Sequence, residues 1–471
     1  MVTGTATVRR AAGPALAAAL SMGAYCLALT VHDSYPFGSR SRAVNDLGNQ
    51  FVPFHAHLWD LMHGNTTGDL LFNWNSGYGV PFLADFLTYL MNPFSWLVGL
   101  FPRHLADLPV FLVTLLSIGL GSALMTVLLG RLRPGPAWPR ALLSAGYGLC
   151  AWVLRDGTAD PMWMWGLAAL PMLGIAADWC LRRRRWVAGT LLVAAAWAGN
   201  FYTAAMGTLA MALVLGLRLL LAAHIPVRDR VRSLARAASM TATGVLLAAP
   251  ALTVGFKAGK ASMPAPEAHY GGRPPTLDYL AQLLPGGRGQ VPAPHLFIGM
   301  LGLLLVAAFP FMRGVPPRVR AGWYGLAAGV ALSFVWKPTI LLWHGLALPN
   351  GSPYRAAFTL SALLVIMAWL ALSYGPRPRE LMAGAGLVAL LAALCHGRES
   401  VGAATWVLVA GSGTVVLGAL VVLHRPRTGK GPAGEAGPGG GASPGVGAGS
   451  GRGPGLVPVR VRMCARPPWR S

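Results

Sequence analysis

Chemically reactive side chains are concentrated in one stretch, NDLGNQFVPFHAHLWDLMHGNTTGDLLFNWNSGYGVPFLADFLTYLMNPF, residues 45–94, where acids, amides, histidines and aromatics are interleaved. Asp46 stands just before a segment in which Phe51, Phe54, Leu58 and Leu61 recur at helical spacing, with His55, His57 and Asp60 between them. This pattern predicts an amphipathic helix on a membrane surface. A carboxylate at such a helix start can be perturbed enough to act as a general base. Capping the helix is the competing use of the same residue. Within FNWNSGYGVP, Trp74, Asn73 and Asn75 flank a Gly77-Tyr78-Gly79 turn. Such side chains stack on and hydrogen-bond sugar rings, and they also make ordinary interfacial aromatic turns. Asp85 and Tyr89 follow on a short apolar stretch that Asn92-Pro93 must break. An acid in so apolar a setting is costly unless it is solvated or functional. His55, His57 and His63 lack an HExxH arrangement, and i, i+2 spacing points helical side chains apart, so they make no metal site alone.

Three residues farther along join this set. Arg355, beside Tyr354 at the start of an apolar run, could fork onto a phosphate or serve as a snorkelling anchor. Asn200 and Tyr202, at a hinge between two apolar runs, could line a groove or cap a helix end.

The elements that must position these residues are membrane helices. The 471 residues are 54% hydrophobic and 11% charged, against about 25% charged in soluble domains. Apolar runs near the length needed to cross a bilayer recur at 11–31, 109–130, 141–154, 161–180, 186–200, 203–223, 237–256, 295–312, 321–336, 354–374, 381–396 and 402–423. They predict an all-α polytopic protein with about twelve transmembrane helices. The first run follows Arg9 and Arg10 and lacks a clear cleavage site, so it is expected to be a retained signal anchor.

The net charge of +23 is distributed in short basic clusters between apolar runs, which excludes a nucleic-acid-binding face. With the N-terminus (1–10) inside, the clusters at Arg131 to Arg140, Arg182 to Arg185, Arg228 to Arg236, Arg313 to Arg320 and Arg377 to Arg379 all fall on the cytoplasmic side. Most acids, Asp33, Asp46, Asp60, Asp69, Asp85, Asp107, Asp156, Asp160, Glu267, Asp278 and Glu399 among them, fall outside. Both termini are then cytoplasmic, and residues 32–108 and 257–294 are extracytoplasmic loops. Residues 425–471 are Gly/Pro/Arg-rich, with almost nothing able to form a core, and are expected to be disordered. Five cysteines, mostly inside apolar runs and without a CxxC pair, argue against a disulfide framework or zinc site.

Several separated signals occur in one order. They are Asp46-Leu47 with Gln50-Phe51, the WNSGYGVPF stretch at Trp74 to Phe82, and DxxxYxxNPF at Asp85 to Phe94. PMWMWGLAALP at Pro161, GNFYTAAMG at Gly199 and SPYRAAF at Ser352 continue the series. Together they resemble the YfhO family of bacterial membrane proteins over residues 11–424. The resemblance implies a GT-C-like glycosyltransferase in the bacterial plasma membrane. Such an enzyme takes sugar from a polyprenyl-phosphate-linked donor and transfers it, on the extracytoplasmic face, to a cell-wall or surface polymer such as lipoteichoic acid. It implies Asp46 as the catalytic carboxylate, with Asp85 as second candidate, and Gln50, Trp74, Asn75, Tyr89, Asn200, Tyr202 and Arg355 as substrate-binding residues. A divalent metal is left open. Family members continue into further spans and a sizeable extracytoplasmic C-terminal domain, in whose place this chain carries its tail. The alternatives are a transporter or flippase of a lipid-linked or polar solute, and a truncated, inactive family member.

Overall fold

A helix that is apolar on every side has no face for water, and several of the longest helices here are of that kind. The structure, a computed structural model, describes residues 2–43, 46–66, 68–261, 269–287 and 291–424. The expected disordered tail, 425–471, lies outside the described residues.

In chain order, α1 (Val2–Val31) leads into the long first loop, where a π-helical turn, Leu47–Phe51, runs directly into α2 (Val52–His63). A short hairpin follows, β1 (Phe72–Asn73) antiparallel to β2 (Val80–Pro81), with Phe72 opposite Pro81. The loop closes with α3 (Leu83–Tyr89) and a 3-10 helix, Pro93–Leu100. Then come α4 (Asp107–Leu132), α5 (Ala137–Gly148), α6 (Trp165–Leu181), α7 (Trp186–Gly199), α8 (Phe201–Leu221), α9 (Val227–Leu247) and α10 (Ala249–Ala261). The chain continues with α11 (Thr276–Ala281), α12 (Met300–Ala308), α13 (Pro317–Ser333), α14 (Lys337–Trp343), α15 (Ala357–Tyr374), α16 (Pro378–Leu394) and α17 (Ala403–Leu423).

Among the described residues six helices are long and apolar enough to cross a membrane: Ala11–Val31 of α1, α4, α6 with its preceding turn from Pro161, α8, α15 and α17. Two bent pairs, α9–α10 at 72° and α13–α14 at 97°, bring the number to eight if each is one span. The other expected spans fall on α5, α7, α12 and α16. The 12 residues of α5 rise only about 18 Å, short of the roughly 30 Å hydrocarbon core. The run 141–154 is interrupted where α5 ends, and there Ala151 N–H donates to Phe297 C=O at 2.8 Å. The break in one run thus satisfies the backbone just ahead of α12, as buried irregular segments require.

The core lies where α4, α6 and α15 meet. Ile118, Met125, Leu128, Leu167, Leu170, Phe358 and Ile366 are all buried in one cluster. Gly121 permits the closest approach, because a Cβ there would stand 2.7 Å from Leu167 Cβ. The first loop has a smaller core of its own, built from Leu58, Phe82, Phe86, Leu90 and Val98. The apolar side of α2 therefore packs on α3 and the 3-10 helix. Asn92 caps that 3-10 helix by accepting from Phe94 N–H at 3.1 Å, and its amide donates to Ser117 Oγ at 3.2 Å, fastening the loop to α4.

Candidate functional site

Asp46 has helical dihedrals and its side chain makes no capping bond. The π-turn that follows returns Gln50 one turn later, and Gln50 Nε2 donates to Asp46 Oδ1 at 3.4 Å. On its other side the Asp46 carboxylate meets the carboxyl of Asp160, at the residue before the Pro161–Met164 turn that starts α6. Asp160 Oδ1 is buried and receives no N–H or O–H from the protein. Burial, and then the Asp46 carboxylate, push the Asp160 carboxyl up to about 7. Two carboxyls in contact ionise together only at high cost, which is why the Asp46 carboxylate adds to the rise at Asp160.

Tyr89, the last residue of α3, is wedged by the rings of Phe51 and Phe54, with centroids at 5.7 and 5.1 Å. Burial raises its phenol, and the nearby Asp85 and Asp46 carboxylates raise it further. Asp85, half-buried one turn earlier, is itself raised by burial. Arg355 comes from the segment before α15. Its guanidinium lies over the Trp163 ring at 4.8 Å and the Tyr202 ring at 5.8 Å. Nη1 donates to the Tyr202 hydroxyl at 3.4 Å and Nη2 to the Asn350 carbonyl, whereas Nε is buried with no partner. The Arg355 charge also acts on both Asp160 and Tyr89, which places all four groups in one neighbourhood.

Asn200 is buried and caps α8, accepting from Thr203 N–H at 2.9 Å and Thr203 Oγ1 at 2.8 Å. Its amide donates to the Thr88 carbonyl at 3.4 Å, tying the end of α3 to the α7–α8 hinge immediately beside Tyr89. Trp74 and Asn75 stand on the hairpin. Trp74 is 58% exposed and packs on Phe72, and Asn75 N–H donates to Asn73 Oδ1 at 2.8 Å. The contacts seen for both are internal to the hairpin.

Sequence reading brings Asp46, Gln50, Asp85, Tyr89, Tyr202 and Arg355 to this place and misses Asp160, Trp163 and His344. The available signal was Asp160-Pro161 at the mouth of an apolar run, with Asp156 one turn earlier. Asp156 accepts from His295 Nδ1 at 2.8 Å, so it is held aside from the pair. His344 ends α14, with its ring 6.0 Å from that of Tyr202. A divalent cation would find two carboxylates here, Asp46 and Asp160. Among the described residues no group of three or more His, Cys, Asp or Glu could hold a metal ion.

Apolar spans with acids, phenols and one guanidinium gathered where α6, α8 and α15 begin define a polytopic membrane protein with its polar site at one end of the bundle. Residues 17–422 match the family described as bacterial membrane protein YfhO, and the chain belongs to that family. No curated protein and no solved structure is detectably similar to it.

Proposed function

We propose that this protein is a GT-C-like glycosyltransferase of the bacterial plasma membrane. It takes a sugar from a polyprenyl-phosphate-linked donor and transfers it to a cell-wall or surface polymer on the extracytoplasmic face. The chain then crosses the bilayer about twelve times, with both termini in the cytoplasm. The observation that carries this reading is the meeting of Asp46 and Tyr89, from the first loop, with Asp160 and Arg355, from the segments that lead into α6 and α15. A lipid-linked donor presents its phosphate at the headgroup layer, which is where groups at helix ends stand.

In this scheme Asp46 accepts the proton of an acceptor hydroxyl as that oxygen bonds to the anomeric carbon. The bond from that carbon to the phosphate oxygen breaks, with its electron pair going to the leaving polyprenyl phosphate. Arg355, stacked on Trp163 and with Nε unpartnered, holds the phosphate charge. The Asp160 carboxyl, protonated near neutrality, donates to Asp46 and fixes its orientation. Transport is the weaker reading, because a charge-relay path needs ionisable groups at mid-membrane. Asp178 and Arg218, the buried ion pair within the spans, lie near the far ends of α6 and α8.

Mass analysis of wall polymers and polyprenyl-linked sugars, in cells lacking the gene and complemented with the native chain or Asp46→Asn, tests the reading. Loss of one sugar from a polymer, restored by the native chain and not by the variant, is expected. Polymers that keep every sugar in the deletion strain overturn it.

A further inference from the structure

His344 is 7% exposed, and its Nδ1 stands 2.7 Å from the Ile340 carbonyl. A carbonyl oxygen can only accept, so Nδ1 carries the hydrogen. Nε2 of the neutral ring is then an acceptor, buried and without a partner. Its neighbours are the Tyr202 ring, with centroids 6.0 Å apart, and the Arg355 charge, which acts on it. Arg355 Nε, also buried and unpartnered, is a donor. One orphan acceptor and one orphan donor therefore lie around the same aromatic wall. Leaving a buried donor or acceptor unmade is costly, so their occurrence together points to a ligand that satisfies both. The phosphodiester anion of the donor answers the guanidinium but has no hydrogen to give to Nε2. A hydroxyl does.

We infer that His344 accepts a hydrogen bond from a hydroxyl of the donor sugar, next to the phosphate held by Arg355, and so selects which sugar is transferred. This rests on the transferase reading above and adds to it a specificity-determining residue.

The test is binding of short-chain polyprenyl phosphate, bare or carrying glucose, galactose or N-acetylglucosamine, to the full-length protein in detergent. The comparison is between the native chain, His344→Phe and His344→Gln. In the native chain one sugar tightens binding over the bare phosphate. His344→Phe keeps the ring shape and loses about tenfold of that gain, the worth of one strong hydrogen bond. His344→Gln, which can present an acceptor, retains most of it. Unchanged bare-phosphate binding reports that both variants are folded. A sugar gain equal in the native chain and His344→Phe, or a native chain that binds sugar-bearing and bare lipid alike, overturns the role of His344. Failure of the native chain to bind any polyprenyl phosphate instead overturns the transferase reading, and the inference with it.

Discussion

At the far ends of α4, α6 and α8, Asp178 is fully buried and ringed by Arg218 at 3.1 Å, Arg182 at 2.9 Å and Arg131 at 3.6 Å, so both its oxygens meet cations. Arg131 and Arg185 also stack on Trp179, at 5.3 and 5.5 Å. At the near ends of the same helices, about 25 Å of helix away, Asp160 faces another acid, and Arg355 and His344 each bury an unpartnered polar atom. An acid among cations stabilises a fold. An acid against an acid, beside unsatisfied donors and acceptors, is a cost that packing alone does not explain. The contrast sets a cluster that holds helices together against one that, in the function proposed above, is kept ready for a ligand.

Substitutions at the two ends should therefore differ in kind. The largest effect is expected from Asp46→Asn, which removes the proton acceptor of the proposed transfer. Transfer measured on purified protein should fall by about 10²–10⁴-fold, with the melting temperature in detergent unchanged.

Next is Asp178→Asn, which leaves three guanidiniums facing one another. It should cost about 3 kcal/mol, toward the lower end for a broken buried pair because two of the arginines are partly exposed. Thermal unfolding measures the loss, and the protein that remains folded should still transfer sugar.

A pH titration sharpens the comparison further. Asp160 is raised from 3.8 to about 7, so between about 4 and 7 the folded chain holds a proton that the unfolded chain has lost. Its contribution to stability should fall as pH rises through that window and level off above it. Asp160→Asn should flatten this slope, and it should remove any decline in transfer above about 7, since the amide remains neutral.

The smallest effect is expected at the hinge. Asn200→Ala loses the α8 cap and the tie to Thr88, and should lower stability by about 1 kcal/mol, read as a modest drop in melting temperature.

Most of the helices are legible in the sequence, because an apolar run in a chain with so little charge can do little else. Span lengths are less legible. Composition does not register that the run 141–154 breaks at Leu149 and Cys150 and pairs Ala151, where the helix resumes, with Phe297, since that partner is distant in sequence. Asp46, Tyr89 and Arg355 stand out in the sequence because ionisable groups beside apolar runs are costly. Asp160 and His344 do not, since their significance comes from what tertiary packing sets against them: an acid in one case, an aromatic wall and a guanidinium in the other. Asn200 reads as groove or, rather more, as cap from sequence, and its bonds to Thr203 show the cap.

The most direct measurement places Asp46→Asn and Asp178→Asn side by side, each assayed for melting temperature and for transfer from a short-chain polyprenyl-phosphate sugar to wall polymer. A stable, inactive Asp46 variant is expected, with a destabilised Asp178 variant whose folded fraction is active. An Asp46 variant that transfers sugar as fast as the native chain would contradict this expectation.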